Sequence, residues 1–174
     1  MLEGRGVTQW LSSGARFAFA LPLRRFNRLP TSESKFLLRQ CLSVDRWVDV
    51  VSASRPYKRL DDLFEVARDA AFPFTPAELE AALASVVPQP VIPAVRRQES
   101  AHQRWLRAQL AAGVAQYERR FGRAFLLRRE GRDDTQVLME LWMRLDHDLD
   151  TEDRVLAQQV REHALAALAR LISD

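Results

Sequence analysis

Only one cysteine, Cys41, occurs among the 174 residues, so no internal disulfide can form, and the three histidines build no Cys/His cluster of zinc spacing. Such usage suits a reducing compartment, and Cys41 reads as a small buried apolar group. Glycine is scarce, with six residues and no phosphate-cradling loop among them. No apolar run approaches the roughly 18 to 20 residues that span a bilayer, which excludes a transmembrane helix and predicts a cytoplasmic protein. Trp10 to Leu23 resembles a secretion signal, with Ala18-Phe19-Ala20 imitating a cleavage site, but Arg16 interrupts it. Residues 1–23 are therefore expected to be a poorly ordered extension, and residues 24–174 the domain. An excess of positive charge is also lacking. The formal charge of +3 comes from the first thirty residues, where five arginines face Glu3; the remainder carries 21 basic and 22 acidic side chains. A folded part so near neutrality argues against nucleic acid as a partner.

What is present is apolar residue at helical spacing. The hydrophobic fraction of 47% can fill the core of one domain. A first helix is expected after Pro30, capped by Thr31 or Ser32, with Phe36, Leu37 and Cys41 on one side. Ser43 would cap a second, with Val44, Trp47, Val48 and Val51 inward, ending at Arg55-Pro56. Leu60, Leu63, Phe64, Ala67 and Ala71 trace a third. Thr75-Pro76-Ala77-Glu78 is a start signal for the fourth: a cap, a first-turn proline and a glutamate that can close a capping box. Prolines 88, 90 and 93 impose an extended link. A long helix from about Glu99 to Phe121 carries His102, Leu106, Leu110, Val114, Tyr117 and Phe121, and Gly122 stops it. Residues 124–128 have a short extended look. Asp133 or Asp134 then caps a helix with Val137, Leu138, Leu141, Trp142 and Leu145 inward, and a last helix runs from about Thr151 to Ile172. The expected fold is an all-α, single-domain bundle of about seven or eight helices.

Candidate chemistry is sparse. His102 lies four residues before Leu106, so it is expected to face inward, either as an acid/base group on a pocket wall or as a hydrogen-bonded core histidine. His163 falls on the inward stripe of the last helix, where a core role is the plainer reading. His147 stands between Asp146 and Asp148 in what reads as a solvated loop. Asp61-Asp62 and Asp133-Asp134 sit at helix starts, where capping explains them. Trp47, Trp105 and Trp142 read as core or partner surface, and Arg96-Arg97 and Arg128-Arg129 as solvated faces. No nucleophile set or metal-spaced cluster is evident.

The same segments carry a family resemblance. Phe26-Asn27-Arg28-Leu29-Pro30, Cys41 with Arg46-Trp47, Ser54-Arg55-Pro56-Tyr57 and Phe74-Thr75-Pro76-Ala77-Glu78-Leu79 come in order. They are followed by Tyr117-Glu118-Arg119-Arg120-Phe121-Gly122, Phe125-Leu126-Leu127, Gly131-Arg132, Arg144-Leu145 and Thr151-Glu152. Together they resemble the decarboxylase family that converts 2-oxo-4-hydroxy-4-carboxy-5-ureidoimidazoline (OHCU) to allantoin in urate breakdown. The resemblance covers about residues 24–172. It implies a cofactor-free, metal-free helical enzyme with a small-molecule substrate, often a homodimer, and with no membrane partner.

It also implies where a site would lie. Relatives carry a histidine in an "H-P-x-(I/L)" motif where this chain has Val86-Val87-Pro88. Their "S-x-x-E-Q" glutamate falls on His102, the asparagine after "R-L-x" falls on His147, and a substrate-binding arginine falls near Ala167. His102 is accordingly the expected acid/base or orienting residue. Phe125, Leu126, Leu127 and His147 are expected to bind a small polar heterocycle or amide. Valine cannot move a proton, so the resemblance leaves three readings open: an enzyme repurposed for another small substrate, an active OHCU decarboxylase with relocated groups, or a non-catalytic binding domain.

Overall fold

The Thr75 hydroxyl accepts a hydrogen bond from the Glu78 amide at 3.2 Å, and the Glu78 carboxylate accepts from the Thr75 amide at 2.8 Å, with Pro76 at the first helical position. The predicted capping box is thus formed. The computed structural model describes residues 20–86, 91–95, 97–129 and 131–174. Among them run eight helices: α1 (Leu23–Arg28), α2 (Thr31–Arg39), α3 (Asp45–Ala53), α4 (Leu60–Asp69), α5 (Pro76–Ser85), α6 (Ala101–Phe121), α7 (Asp134–Leu145) and α8 (Leu149–Leu171). The fold is all-α, as the spacing predicts. The strands among the described residues are two-residue pieces, β1 (Leu21–Pro22) and β2 (Ile172–Ser173), paired in parallel. No described helix is long and apolar enough to cross a membrane.

Several local expectations are corrected. Leu21 to Leu23, grouped above with the extension, pair with the chain's other end and start α1, with Leu23 buried; residues 1–19 lie outside the described part. Pro30 and Val44 stand at the caps of α2 and α3 without side-chain cap bonds, and the Ser43 hydroxyl donates to the Arg39 carbonyl instead. Residues 124–128 form no strand. Their carbonyls and amides find side-chain partners in place of a sheet neighbour, as described below.

The core falls into two clusters. The larger joins α1 to α5 with α8, and Trp47 at its centre is 1% exposed, its indole N–H satisfied by the Ala67 carbonyl at 2.8 Å. Burying a side chain of that size contributes on the order of 3 kcal/mol, provided the N–H finds such a partner. The smaller cluster is the α6–α7 pair, with Leu110, Tyr117, Val137 and Leu141 fully enclosed. These helices approach closely because Gly113 has no side chain: a Cβ there would lie 2.6 Å from the Leu141 Cδ2. Contacts of Gly113 with Leu141, Tyr117 with Arg144, and Arg120 with His147 keep a near-constant offset, so α6 and α7 run in the same direction. The described residues between 122 and 133 therefore return along the pair before α7 begins.

That offset accounts for His102. It stands level with the stretch preceding Asp134, where α7 has not begun, so no helix covers it. His102 is exposed and stacks on the exposed Trp105, with ring centroids 5.9 Å apart. The expected inward orientation is corrected accordingly. Trp142, expected inward on α7, is 46% exposed beside Met139 and Met143.

Candidate functional site

Gly122 ends α6 in the left-handed region at φ 66°, a conformation glycine adopts without strain, and turns the chain into the returning stretch. From there Phe125, Leu126 and Leu127 are all buried, but in alternate directions. Leu126 belongs to the larger cluster, while Phe125 and Leu127 belong to the α6–α7 cluster. A buried extended stretch needs partners for its backbone. The Leu126 carbonyl accepts from Arg144 Nη1 at 2.8 Å, and the Arg128 amide donates to Gln159 Oε1 at 3.1 Å. The backbone expected to bind a ligand is thus engaged, at Leu126, by the protein's own arginine.

Arg144 is the hub of a buried polar centre. It and Glu152 are each 1% exposed, and Arg144 Nε donates to Glu152 Oε1 at 3.0 Å. Arg144 Nη2 contacts the same oxygen, and the Tyr117 hydroxyl donates to it as well. The guanidinium lies over the Phe125 ring, 4.6 Å from its centroid. Burial pushes the Tyr117 hydroxyl above its ordinary range, so the phenol keeps its proton and serves as a donor. The other carboxylate oxygen, Oε2, reaches His147 Nδ1 at 2.9 Å. His147 is therefore half-buried and anchored, which corrects the solvated-loop reading. Arg128 and Arg129 are likewise half-buried; Arg129 donates to the Val91 carbonyl at 2.8 Å and pairs with Asp134.

Beside the stretch lies a cavity of about 210 Å³, lined by Leu83, Ala84, Val86, Leu126, Glu80 and Arg123 among others. Leu126 and Val86 are thereby brought to one cavity, although the resemblance set them in different motifs. Val87 and Pro88 lie outside the described residues. The ionisable groups on the lining are Glu80 and Arg123, paired at 2.6 Å, and Arg123 also pairs with Asp153. His147 lines a separate groove of about 510 Å³ with Arg120, Phe121, Asp148, Leu149 and Asp150. Among the described residues, no group of three or more His, Cys, Asp or Glu side chains could hold a metal ion.

The predicted site residues are thus dispersed. Leu126 and His147 are linked through Arg144 and Glu152, Phe125 and Leu127 are core, and His102 lies outside, on the surface. His163 on α8 is half-buried with its Nε2 enclosed and unpartnered, and burial, with Arg128 next, holds its pKa below the ordinary value. Arg123, Glu80 and the Arg144–Glu152 pair were not singled out from sequence as functional groups. The signal for the pair was available, because both residues stand inside the motifs that carry the family resemblance.

An all-helical domain with a small ionic-walled cavity and a buried ion-paired centre supporting an irregular stretch is the class this geometry defines. The OHCU decarboxylase family matches residues 27–169, and the chain belongs to that family. No curated protein matches the chain.

Proposed function

We propose that the protein is a cofactor-free enzyme of the OHCU decarboxylase family whose chemistry has been altered, taking a small polar heterocycle or amide in the cavity between α5 and residues 122–126. The observation that carries this reading is that Val86 and Leu126 line one cavity, with Glu80 and Arg123 as the ionisable lining. A volume of about 210 Å³ matches a ligand of roughly a dozen heavy atoms, at or below the small end of ligand pockets. Where relatives keep an imidazole, the sequence has valine, so proton transfer in this cavity falls to the Glu80 carboxylate. The Arg123 guanidinium is the group suited to a carbonyl or carboxylate, since it presents several donors in one plane. His102, exposed and remote from this lining, is given no part. A cytoplasmic location and a homodimer joined through the exposed Trp142, Met139 and Met143 face of α7 accompany the reading.

OHCU generated freshly in the assay, with allantoin followed by circular dichroism, tests it. The expected result is no rate above the spontaneous one, together with a hydantoin-induced rise in Tm that is reduced in Arg123→Met and unchanged in His102→Ala. Hydantoin and related cyclic amides are then screened for turnover, which should be lost in Glu80→Gln. An OHCU rate above background that falls in Glu80→Gln would instead identify an active decarboxylase. Neither turnover nor a hydantoin shift would identify a non-catalytic domain.

A further inference from the structure

The groove beside His147 offers a second and chemically different arrangement. His147 Nδ1 is engaged by Glu152 Oε2 at 2.9 Å, and Glu152 is buried, already paired with Arg144 and incapable of donating while ionised. The carboxylate therefore accepts from an Nδ1–H, and in the neutral ring this leaves Nε2 with the lone pair. Nε2 is neither enclosed nor bonded to another group of the protein among the described residues. A histidine whose one nitrogen is held by a buried carboxylate and whose other is open is the arrangement in which imidazole serves as a directed proton acceptor.

The rest of the lining sets the ligand's character. Arg120 is exposed and spends one N–H on the His147 carbonyl at 2.8 Å, leaving further donors at the groove. Asp148 caps α8, accepting from the Thr151 amide at 2.7 Å, and Asp150 stands in the same first turn. The two carboxylates thus answer the positive end of a 23-residue helix. With the Arg120 guanidinium and the helix end, of about half a charge, set against the two carboxylates, the groove is close to neutral and presents one oriented acceptor, one planar donor and the apolar side chains of Phe121 and Leu149. A neutral group carrying both N–H and C=O complements this; a bare anion or cation does not.

We propose that the His147–Arg120 groove is a binding site for neutral amides and ureides, in which a ligand N–H donates to His147 Nε2 and a ligand carbonyl accepts from Arg120. This rests on the reading of the protein as a binder of small polar heterocycles, and adds to it a site distinct from the cavity at Arg123.

Titration of the full chain with hydantoin, followed by amide and imidazole nitrogen NMR, tests the proposal. The imidazole nitrogen resonances of His147 should report the neutral Nδ1–H tautomer. Hydantoin should shift the resonances of His147, Asp148 and Leu149. In His147→Phe their response should weaken about tenfold, the loss of one good hydrogen bond, with a smaller loss in Arg120→Gln. Responses of Gly122 and Ala124 at the cavity should persist in both variants. An Nε2–H tautomer, or groove resonances that do not move or that move equally in His147→Phe, would overturn the proposal while leaving the cavity reading intact. Groove responses without cavity responses would sink the cavity reading instead.

Discussion

Arg144 on α7 and Glu152 on α8 form an ion pair closed off from water, and the same guanidinium holds the Leu126 carbonyl in place. The pair thus couples two helices to the stretch that lines the cavity. Removing one partner leaves the other charged and buried, which costs about 3–5 kcal/mol. Arg144→Met is expected to lose that much in chemical denaturation. Arg144→Met with Glu152→Leu together should recover part of it, because no unpaired charge remains.

Gly113 and Leu141 set the spacing of α6 against α7. Gly113→Ala places a methyl 2.6 Å from the Leu141 Cδ2, and Leu141 has no exposed surface through which to yield. A loss of about 1–3 kcal/mol is expected from this overpacking. Measured again in a Leu141→Ala background, the same substitution should cost markedly less.

His163 supplies a pH dependence. Burial, assisted by Arg128, holds its folded pKa below the ordinary 6.5, so the unfolded chain takes up the proton first as pH falls. Stability from the neutral ring is full above about 6.5 and declines below it, down to the folded value. Urea midpoints across this range should show the decline, and His163→Phe should remove this component.

Glu78 acts in a more acidic window. Its hydrogen bonds with Arg46 hold the carboxyl at about 2, against an ordinary 4.5. The stabilisation is present above about 4.5 and is lost as pH falls towards about 2. Arg46→Gln should flatten Tm against pH in that interval, and Thr75→Ala, which removes the cap, should cost about 1 kcal/mol at neutral pH.

Helical spacing read the core of α3 correctly because Val44, Trp47, Val48 and Val51 all face one neighbouring surface. Caps were equally legible where a side chain supplies the bond, as at Thr75 and Asp133, and not where proline or valine holds the position. His102 was misplaced by the same spacing rule. The stripe through Leu106 continues to His102, but a periodic pattern does not say where the facing helix begins. Arg144 went unremarked outside its motif: an arginine ordinarily lies at the surface, and only its partners, brought from Glu152, Tyr117 and Leu126, allow it inside. The bond between His147 and Glu152 spans one helix start, yet the flanking aspartates suggested solvent. That Val86 and Leu126 line one cavity depends on how the end of α5 meets the stretch after α6, and no local pattern encodes that.

The pairing of Leu21 with Ile172 puts the two ends of the fold side by side. A short peptide could therefore splice them, and new termini could be opened in an exposed turn elsewhere without stretching any helix. Fluorophores attached near Ala20 and Asp174 would sit close enough for efficient energy transfer in the native state and would separate on denaturation. Because the two pieces run in parallel, chain joined directly before Ala20 and after Asp174 would depart in opposite directions along the pair.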